Sequence, residues 1–570
     1  MSTAEGYAVS VRRDVEMRAR DGVILRSDVY TPDAQGTFPV LVCRTPYDKS
    51  APLNASFAEL LARRGYIAVT NDIRGLHTSD GDLVWMYDPA SIEVEAHDGH
   101  DCVEWAAKLP QSDGRVGTFG VSYSSWLALC LLGDVPPSLA AMMIGGMTSS
   151  LHEATFGIME TGRRFQWCYQ IAAGMRGRGG STTFPSNVPD ATWDWMTNLR
   201  DKWVWRLPLD SVPNEVFGDL SGPLRTFYEH HGEEIWPFMK LHEKVSFPVC
   251  THTGWWDRFS LSVNGHENMV KVASNDLAAR HRLVVGPWPH SPFDYTRRIG
   301  PVDYGADADV AYADLVAGWY DFTFFGKSSR LFDEAPVKLF MVNENAWRNF
   351  ETWPPPGMQE TLFYLHSGGS AATPEGDGRL SVEAPGDEQP DTYAYDPADP
   401  VMSLMGEDAQ MKPVDQRPNE GRRDVLVFAT APLEERLTLA GPLRCQLWAS
   451  SDAPDTDFCV KLIEVRPDGP PINLSSGIMR ARFRNGYDRE ELMVPGQSYL
   501  FDIEMLPVGI RLEPGSRLRL DITSSDFPAF DRNHNTGDDF WSSTELRIAR
   551  QTIFHDTERP SRLVLPVISS

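Results

Sequence analysis

The strongest constraint on the fold is a change in sequence pattern along the chain. The first ~145 residues alternate between apolar runs such as 38–44 (FPVLVCR) and helical patterns such as 54–65 (NASFAELLARRG). This alternation predicts a mainly parallel sheet with helices on both faces. After about residue 335 the helical patterns disappear, and short strands separated by Pro, Gly and Asp predict a β-sandwich or jelly roll.

Two further changes in pattern divide the chain. Residues 146–240 are rich in Trp, Met and Arg and show helical stretches without a strong strand, which predicts an inserted helical cap. Strand patterns then resume at 247–257 (FPVCTHTGWWD) and 281–290 (HRLVVGPWPH). The predicted units are a first core segment at 1–145, the cap at 146–240, a second core segment at 241–335 and a jelly-roll domain at 336–570.

Residues 120–124, Gly-Val-Ser-Tyr-Ser, stand between a predicted strand and a predicted helix. A serine on such a sharp turn is exposed at the top of the sheet, and α/β-hydrolases present their nucleophile in this way. The usual pattern is G-x-S-x-G, and Ser124 replaces its second glycine here. Ser122 is therefore a candidate nucleophile, although a serine that simply caps a helix fits the same position.

An acid and a base follow in the chain order that α/β-hydrolases use, which is nucleophile, acid, base. Asp257 ends one predicted strand and His290 follows the next. Each alone is an ordinary loop residue, but both stand at carboxyl ends of strands, where open parallel sheets bind ligands. The sequence therefore predicts an α/β-hydrolase core with Ser122, Asp257 and His290 as catalytic residues.

Acyl transfer also needs two hydrogen-bond donors for the negative oxygen of the intermediate. The backbone N–H of Tyr123, directly after the nucleophile, is the expected first donor. Tyr47 follows the early strand at 38–44, and its phenol could be the second donor. A tyrosine packed on a loop fits the residues equally well.

Charge and composition argue against several classes of protein. With 53 Lys and Arg against 79 Asp and Glu, the net charge is −26, which repels nucleic acid and anionic lipid. The seven cysteines are scattered without a CxxC motif, as in a cytoplasmic protein with reduced thiols. We identify no signal peptide and no apolar run of membrane-spanning length. Residues 97–102 (HDGHDC) look like a metal site, but the chemistry needs none, and we predict neither metal nor cofactor.

Seven motifs together resemble the cocaine esterase and X-Pro dipeptidyl-peptidase family of α/β-hydrolases. They are RTPYDK at 44–49, DIRGLHTSDG at 72–81, DGRVGTFGVSYSSW at 113–126, GWWDRF at 254–259, GPWPHSP at 286–292, DITSSDFPAFDRNHNTG at 521–537 and HDTERPSRLVLPVI at 555–568. The resemblance covers residues ~14 to 568. It implies the core, cap and jelly-roll architecture, a triad of Ser122, Asp257 and His290, and an oxyanion hole made by the Tyr47 hydroxyl and the Tyr123 N–H.

Substrates vary within this family, and two features of the sequence narrow the range of substrates expected for this chain. Members that act on α-amino acid esters hold the ammonium group with carboxylates close to the catalytic acid, whereas Arg258, Phe259 and Ser260 follow Asp257 here. Phe259 matches an apolar pocket residue of the cocaine esterase pattern. The tryptophans of the cap, Trp167 among them, suggest an apolar or aromatic acyl group, although most of them also fit the cap's own core.

We therefore expect a serine hydrolase that cleaves a carboxylic ester with a neutral, apolar or aromatic acyl group, with Phe259 and Trp167 in the pocket. An amidase, an acylase, an X-Pro dipeptidyl peptidase and an acyltransferase remain alternatives, as does a non-catalytic jelly-roll binding protein. The expected partner is a small ester or amide, without nucleic acid or membrane. A homodimer is compatible with the acidic surface and the β domain.

Overall fold

A computed structural model describes residues 6–179, 184–217, 222, 224–225, 236–333, 335–372, 375–404 and 411–569. The strands of its first half are β1 (Val9–Arg18), β2 (Ile24–Pro32), β3 (Phe38–Thr45), β4 (Ile67–Asp72), β5 (Ser112–Val121), β6 (Leu139–Gly145), β7 (Val249–Trp256), β8 (Arg282–Pro289), β9 (Arg298–Ile299), β10 (Val302–Asp303), β11 (Val337–Met341) and β12 (Ala346–Phe350). The helices are α1 (Pro52–Arg63), α2 (Ser91–Ala106), α3 (Tyr123–Cys130), α4 (Leu151–Thr155), α5 (Thr161–Gly179), α6 (Val188–Asp194), α7 (Arg200–Val204), α8 (Asn214–Phe217), α9 (Phe238–Leu241), α10 (Ser262–Val272), α11 (Asn275–Ala278) and α12 (Tyr312–Phe325).

The first sheet has ten strands in the order β1-β2-β4-β3-β5-β6-β7-β8-β11-β12. Neighbouring strands from β4 to β11 in this order run parallel, and the antiparallel pairs lie at the two edges. The central strands β4, β7 and β8 are buried along their whole length, as expected for parallel strands that are covered on both faces. The predicted α/β core is confirmed, and the carboxyl ends of its parallel strands meet at one edge of the sheet.

The chain between β6 and β7 crosses one end of the core as the expected helical insertion. Its described residues form helices α4 to α9 and no strand. Aromatic residues of the insertion, such as Phe165, Trp195 and Phe217, pack on one another and join the hydrophobic core on one face of the first sheet. The described part of the insertion is therefore anchored to the core through its aromatic side chains.

The remaining strands form an all-β domain, as predicted. They are β13 (Gln359–His366), β14 (Arg379–Ser381), β15 (Asp391–Tyr395), β16 (Leu426–Ala429), β17 (Leu437–Ser451), β18 (Asp457–Val465), β19 (Ile472–Arg480), β20 (Tyr499–Leu512), β21 (Arg517–Thr523), β22 (Ala549–Phe554) and β23 (Arg562–Ile568). Their order is β15-β22-β17-β23-β13-β14-β16-β21-β18-β19, with β20 paired to β17. The pairs are antiparallel, apart from a parallel contact between β14 and β16.

One predicted division differs from the sheets that the chain forms. The predicted boundary at residue 335, where the helical patterns end, places residues 337–350 in the C-terminal domain, whereas β11 pairs with β8, and β12 with β11, in the first sheet. The Val342 N–H also donates to the Gly509 carbonyl of β20 at 2.8 Å. The two halves are therefore joined through main-chain hydrogen bonds, and they share a hydrophobic core that includes Trp255 and Met505.

Candidate active site

Ser122 occupies a strained turn between β5 and α3. Its φ is +61°, a value that costs energy for any residue with a side chain and that persists where the surrounding structure enforces it. The Ser122 N–H donates to the Gly145 carbonyl at the end of β6, at 2.9 Å. At Gly120 an added Cβ would lie 2.5 Å from the Ser124 Cβ, so the first glycine of the motif is required by close packing.

The serine that replaces the second glycine fits the turn without disturbing it. Ser124 is buried, and its hydroxyl contacts the Cys43 thiol of β3. The next residue, Ser125, ties the turn together because its Oγ accepts from the Gly145 N–H at 2.8 Å and lies 2.7 Å from the Gly120 carbonyl. The departure from G-x-S-x-G is therefore absorbed by contacts with the neighbouring strand.

Asp257 and His290 come together at the same edge of the sheet, although 33 residues separate them in the chain. The Nδ1 atom of His290 lies 3.0 Å from Asp257 Oδ1, and this carboxylate is fully buried. The Phe259 N–H donates to the same oxygen at 2.9 Å and fixes its position. Since a carboxylate only accepts, Nδ1 carries the proton, and Nε2 is left free to accept one.

Burial lowers the pKa of His290 below its usual value of 6.5. The positive charges of Arg163 and Arg258 lower it further, and Asp257 opposes them. The Phe259 ring packs against the imidazole with 5.0 Å between the ring centroids. The imidazole is thus held in its neutral form at neutral pH, which is the form that a general base requires.

Gly146 supports this pair from the loop after β6. Its φ is +55°, and an added Cβ would lie 2.9 Å from Asp257 Oδ2 and 3.0 Å from His290 Nδ1. The Gly146 backbone therefore packs directly against Asp257 and His290, and any side chain at this position would collide with them.

Tyr47 reaches Ser122 from the loop after β3. Its N–H donates to Thr45 Oγ1 at 3.0 Å, and its hydroxyl contacts the Ser122 side chain. The indole N–H of Trp167, on cap helix α5, donates to the Tyr47 hydroxyl oxygen at 3.0 Å. Burial raises the pKa of Tyr47, so the phenol keeps its proton as a donor. The N–H of Tyr123 lies at the first turn of α3, while its ring is buried against Trp85 and Trp126.

This contact assigns Trp167 a role in positioning Tyr47, and it leads to a prediction. Replacing Trp167 with Phe removes the N–H that orients the phenol, so we expect kcat to fall by about tenfold, with a smaller change in KM. The measurement is steady-state hydrolysis of an acetate ester by the two single variants, Trp167→Phe and Tyr47→Phe, and by the double variant. If the indole acts through Tyr47, the double variant loses no more activity than Tyr47→Phe alone. Additive losses would contradict this role.

The sequence analysis did not identify a group of buried charges beside the predicted pocket. Arg163, Arg164 and Glu160 come from the start of cap helix α5, and Arg258 follows Asp257 directly. The guanidinium of Arg163 lies 5.1 Å from the centroid of the Phe259 ring, and that of Arg258 lies 4.4 Å from it. The sequence shows these residues only as charged positions in a predicted cap helix. Periodicity alone does not distinguish such positions from an ordinary solvent-exposed helix face.

The metal-like residues 97–102 have other partners. Asp98 binds Arg74 through two hydrogen bonds of 2.7 and 2.8 Å, and Asp101 binds Arg20. Within the described part of the chain, no three His, Cys, Asp or Glu side chains are grouped closely enough to hold a metal ion. Likewise, no described helix has the length and apolarity needed to cross a bilayer.

Comparisons with known proteins identify relatives over nearly the whole chain. The family model for X-Pro dipeptidyl-peptidase (S15 family) matches residues 21–292, and the model for the X-Pro dipeptidyl-peptidase C-terminal non-catalytic domain matches residues 331–564. The cocaine esterase of Rhodococcus sp. (strain MB1 Bresler) is 33% identical, over 98% of this chain and 99% of that protein.

Two solved structures share the fold over nearly the whole chain. An aminopeptidase from a marine sediment archaeon, Thaumarchaeota archaeon, superposes with a TM-score of 0.81 at 22% identity, covering 99% of this chain and 97% of the other. An α-amino acid ester hydrolase superposes with a TM-score of 0.78 at 23% identity, covering 100% and 98%.

Proposed function

Because this chain belongs to the cocaine esterase and X-Pro dipeptidyl-peptidase family of serine hydrolases, we propose that it hydrolyses carboxylic esters through an acyl-enzyme on Ser122. The observation that carries the proposal is the buried 3.0 Å pair of Asp257 and His290 at the strand ends where Ser122 occupies its strained turn. A histidine whose other nitrogen is held by a buried carboxylate is suited to remove the proton of a serine hydroxyl.

In the proposed first half-reaction, Ser122 Oγ attacks the acyl carbon while its proton moves to His290 Nε2. Asp257 holds the imidazole in the required tautomer and stabilises the imidazolium that forms. The carbonyl oxygen becomes negative and is stabilised by the Tyr47 hydroxyl and the Tyr123 N–H, a contribution of ~3 kcal/mol for each donor. The bond to the leaving oxygen then breaks, and His290 returns the proton to that oxygen.

The second half-reaction repeats these steps with water as the nucleophile. His290 removes a proton from water, the hydroxide oxygen bonds to the acyl carbon, and the bond to Ser122 Oγ breaks. The proton on His290 passes to Ser122 Oγ, and the carboxylic acid leaves. The atoms balance as one ester and one water giving one acid and one alcohol.

We further propose that the acyl group has an apolar or aromatic body. The rings of Phe259 and Trp167 support this proposal, since both contact catalytic side chains, His290 and Tyr47 respectively. A cationic amino-acyl group is disfavoured because two guanidinium groups lie over the Phe259 ring. The same charges argue against a peptidase that binds a peptide's ammonium group at this position.

Matched ester and anilide substrates test the proposal. We would compare acetyl, butyryl, benzoyl and Gly-Pro acyl groups, each as a 4-nitrophenyl ester and as a 4-nitroanilide, and analyse the products with added alcohol or amine. We expect every neutral ester to react faster than its anilide, and the acid to be the main product. Faster cleavage of anilides would identify an amidase, faster cleavage of Gly-Pro a peptidase, and acyl products with added amine a transferase.

The pH dependence of the reaction follows from His290. Because its pKa is lowered by burial and by the two arginines, the neutral base is present down to a pH below 6.5. We therefore expect kcat/KM for a neutral ester to be level between about pH 7 and 8 and to fall tenfold per pH unit only below the lowered pKa. A midpoint above 7 in the acid limb of the pH profile would contradict this environment.

The cellular compartment and the oligomeric state of the protein remain predictions. All seven cysteines are free thiols and six of them are buried, which supports the proposal of a cytoplasmic protein with reduced thiols. Analytical ultracentrifugation would test the homodimer that the sequence analysis left open.

A further inference from the structure

Three guanidinium groups converge on a single buried carboxylate beside the predicted acyl pocket. Glu160 binds Arg164 at 2.5 Å and forms an ion pair with Arg258. Arg163 comes no closer to it than 4.0 Å, measured from Nε to Oε1, which is too long for a hydrogen bond. Glu160 is 3% exposed, and the side chains of Arg163 and Arg258 are each 12% exposed.

The printed contacts of Glu160 favour the other two arginines over Arg163. Glu160 binds Arg164 and forms an ion pair with Arg258, and Asp257, another carboxylate near Arg163, is committed to His290. The buried Nε of Arg163 has no hydrogen-bond partner in the described part of the chain. Burial and the neighbouring Arg164 lower the pKa of Arg163 to about 10, so the group remains charged at neutral pH. A largely buried guanidinium that lacks a hydrogen-bonded carboxylate is costly, and it is typical of a site that receives an anion.

Arg163 and Arg258 also line a cavity of about 70 Å³ between the cap and the β domain. A water molecule needs roughly 10–15 Å³ by the same measure, so the cavity has room for a carboxylate and part of the chain that carries it. The charged groups of its described lining are Glu160, Arg163, Arg258, Lys412, Lys461 and Asp526. Asp526 lies 3.4 Å from Lys461, which leaves the excess of positive charge on the arginine side.

The arginines also flank both rings of the predicted acyl pocket. Arg163 and Arg258 lie over Phe259, and the guanidinium of Arg164 lies 5.3 Å from the Trp167 ring. A single aromatic ring, Phe259, therefore separates Arg163 from the catalytic His290. The charge of Arg163 also acts on the pKa of His290 and of Tyr47, so its guanidinium lies close to both side chains.

From this geometry we infer that the preferred ester has an acyl group with an apolar body and a carboxylate at its far end, bound by Arg163 with Arg258 beside it. The inference rests on the proposed esterase function and changes one part of the sequence-based expectation, since the acyl group is anionic rather than neutral. A carboxylate that accepts hydrogen bonds from Arg163 gives this guanidinium the partner that Glu160 does not supply.

Matched substrates test the charge and its position. The first pair is the mono-4-nitrophenyl ester of adipic acid and its carboxamide analogue, which differ only at the far end of the acyl chain. The second pair places the charge on the leaving group, as the hexanoyl esters of 4-hydroxybenzoate and 4-hydroxybenzamide. At pH 8, where His290 is neutral, we expect kcat/KM to favour the carboxylate at least ~10-fold in the first pair and not in the second.

Arg163→Met tests the residue itself, because methionine keeps an apolar stem against Phe259 and removes the charge without leaving Glu160 unpaired. We expect the tenfold preference to fall to about one, because kcat/KM for the carboxylate ester falls about tenfold more than kcat/KM for the carboxamide ester. Arg176→Met is the matched control, since Arg176 lies on the same helix over the rings of Tyr169 and Phe184 but does not line the cavity. It should keep the preference.

The outcomes separate this inference from the proposed function. If wild type hydrolyses neither ester of the first pair nor other neutral esters, the esterase function is wrong. Equal rates within the first pair, a preference that appears only in the second pair, or an equal loss on both esters in Arg163→Met would overturn the inference alone. Competition by free adipate, but not by adipamide, against a neutral ester gives an independent measurement in the wild-type enzyme, and equal inhibition by both would also overturn it.

Discussion

Replacing Ser122 with Ala is expected to abolish ester hydrolysis while leaving the fold intact. The change removes the atom that forms the acyl-enzyme, so we expect kcat to fall by at least about 10⁴-fold. Alanine experiences the same strain as serine at a φ of +61°, and the main-chain hydrogen bonds of the turn do not involve the side chain. The melting temperature should therefore stay close to that of wild type. The measurements are steady-state kinetics and a thermal melt on the same preparation.

Ser124→Ala provides a matched control two residues away. Ser124 is buried beside Cys43 and has no place in the proposed reaction, so this variant should keep kcat within a few-fold of wild type. A fluorophosphonate probe should label wild type and Ser124→Ala but not Ser122→Ala. A folded Ser122→Ala protein that still turns over esters would show that another residue is the nucleophile.

Replacing Asp257 with Asn is expected to lower kcat by about 10⁴-fold, again without a large loss of stability. The two side chains have nearly the same shape, so the variant should fold. His290 Nδ1 and the Phe259 N–H share Asp257 Oδ1, and the amide can place either its oxygen or its N–H₂ there. The oxygen is a neutral acceptor that no longer stabilises the imidazolium, whereas the N–H₂ favours the tautomer with the proton on Nε2, which cannot accept the Ser122 proton. The loss should appear in kcat for both activated and unactivated esters.

Asp457→Asn separates this effect from the general cost of neutralising a buried aspartate. Asp457 is equally buried but lies in the β domain, where its two oxygens bind Arg480 at 2.9 and 3.0 Å. That variant should lose melting temperature because Arg480 is left without its partner, while its folded molecules keep their kcat. If Asp257→Asn instead loses mainly stability and keeps its kcat, Asp257 is a structural residue.

Much of the candidate site is accessible to sequence analysis because its residues occupy defined places in the order of strands. Ser122, Asp257 and His290 each follow a strand with a recognisable apolar run, and parallel strands bring their carboxyl ends to one edge. The sheet to which β11 belongs is not accessible in this way, since both the predicted boundary and the C-terminal family model, which begins at residue 331, leave β11 with the β domain. A buried strand has the same local pattern in either sheet, and only its pairing with β8 decides its membership.

The sequence by itself determined the two sheet-forming regions, the cap between them and the candidate triad, since periodicity and chain order are local properties. Only the tertiary structure placed the indole of Trp167 on the hydroxyl of Tyr47, 120 residues away in the chain. Only packing likewise brought Arg258 to Glu160 and left Arg163 without a full partner beside Phe259. The balance of buried charge depends on distances between distant segments. For this reason the type of reaction could be inferred from the order of residues in the chain, whereas the charge of the proposed substrate is inferred from the folded molecule.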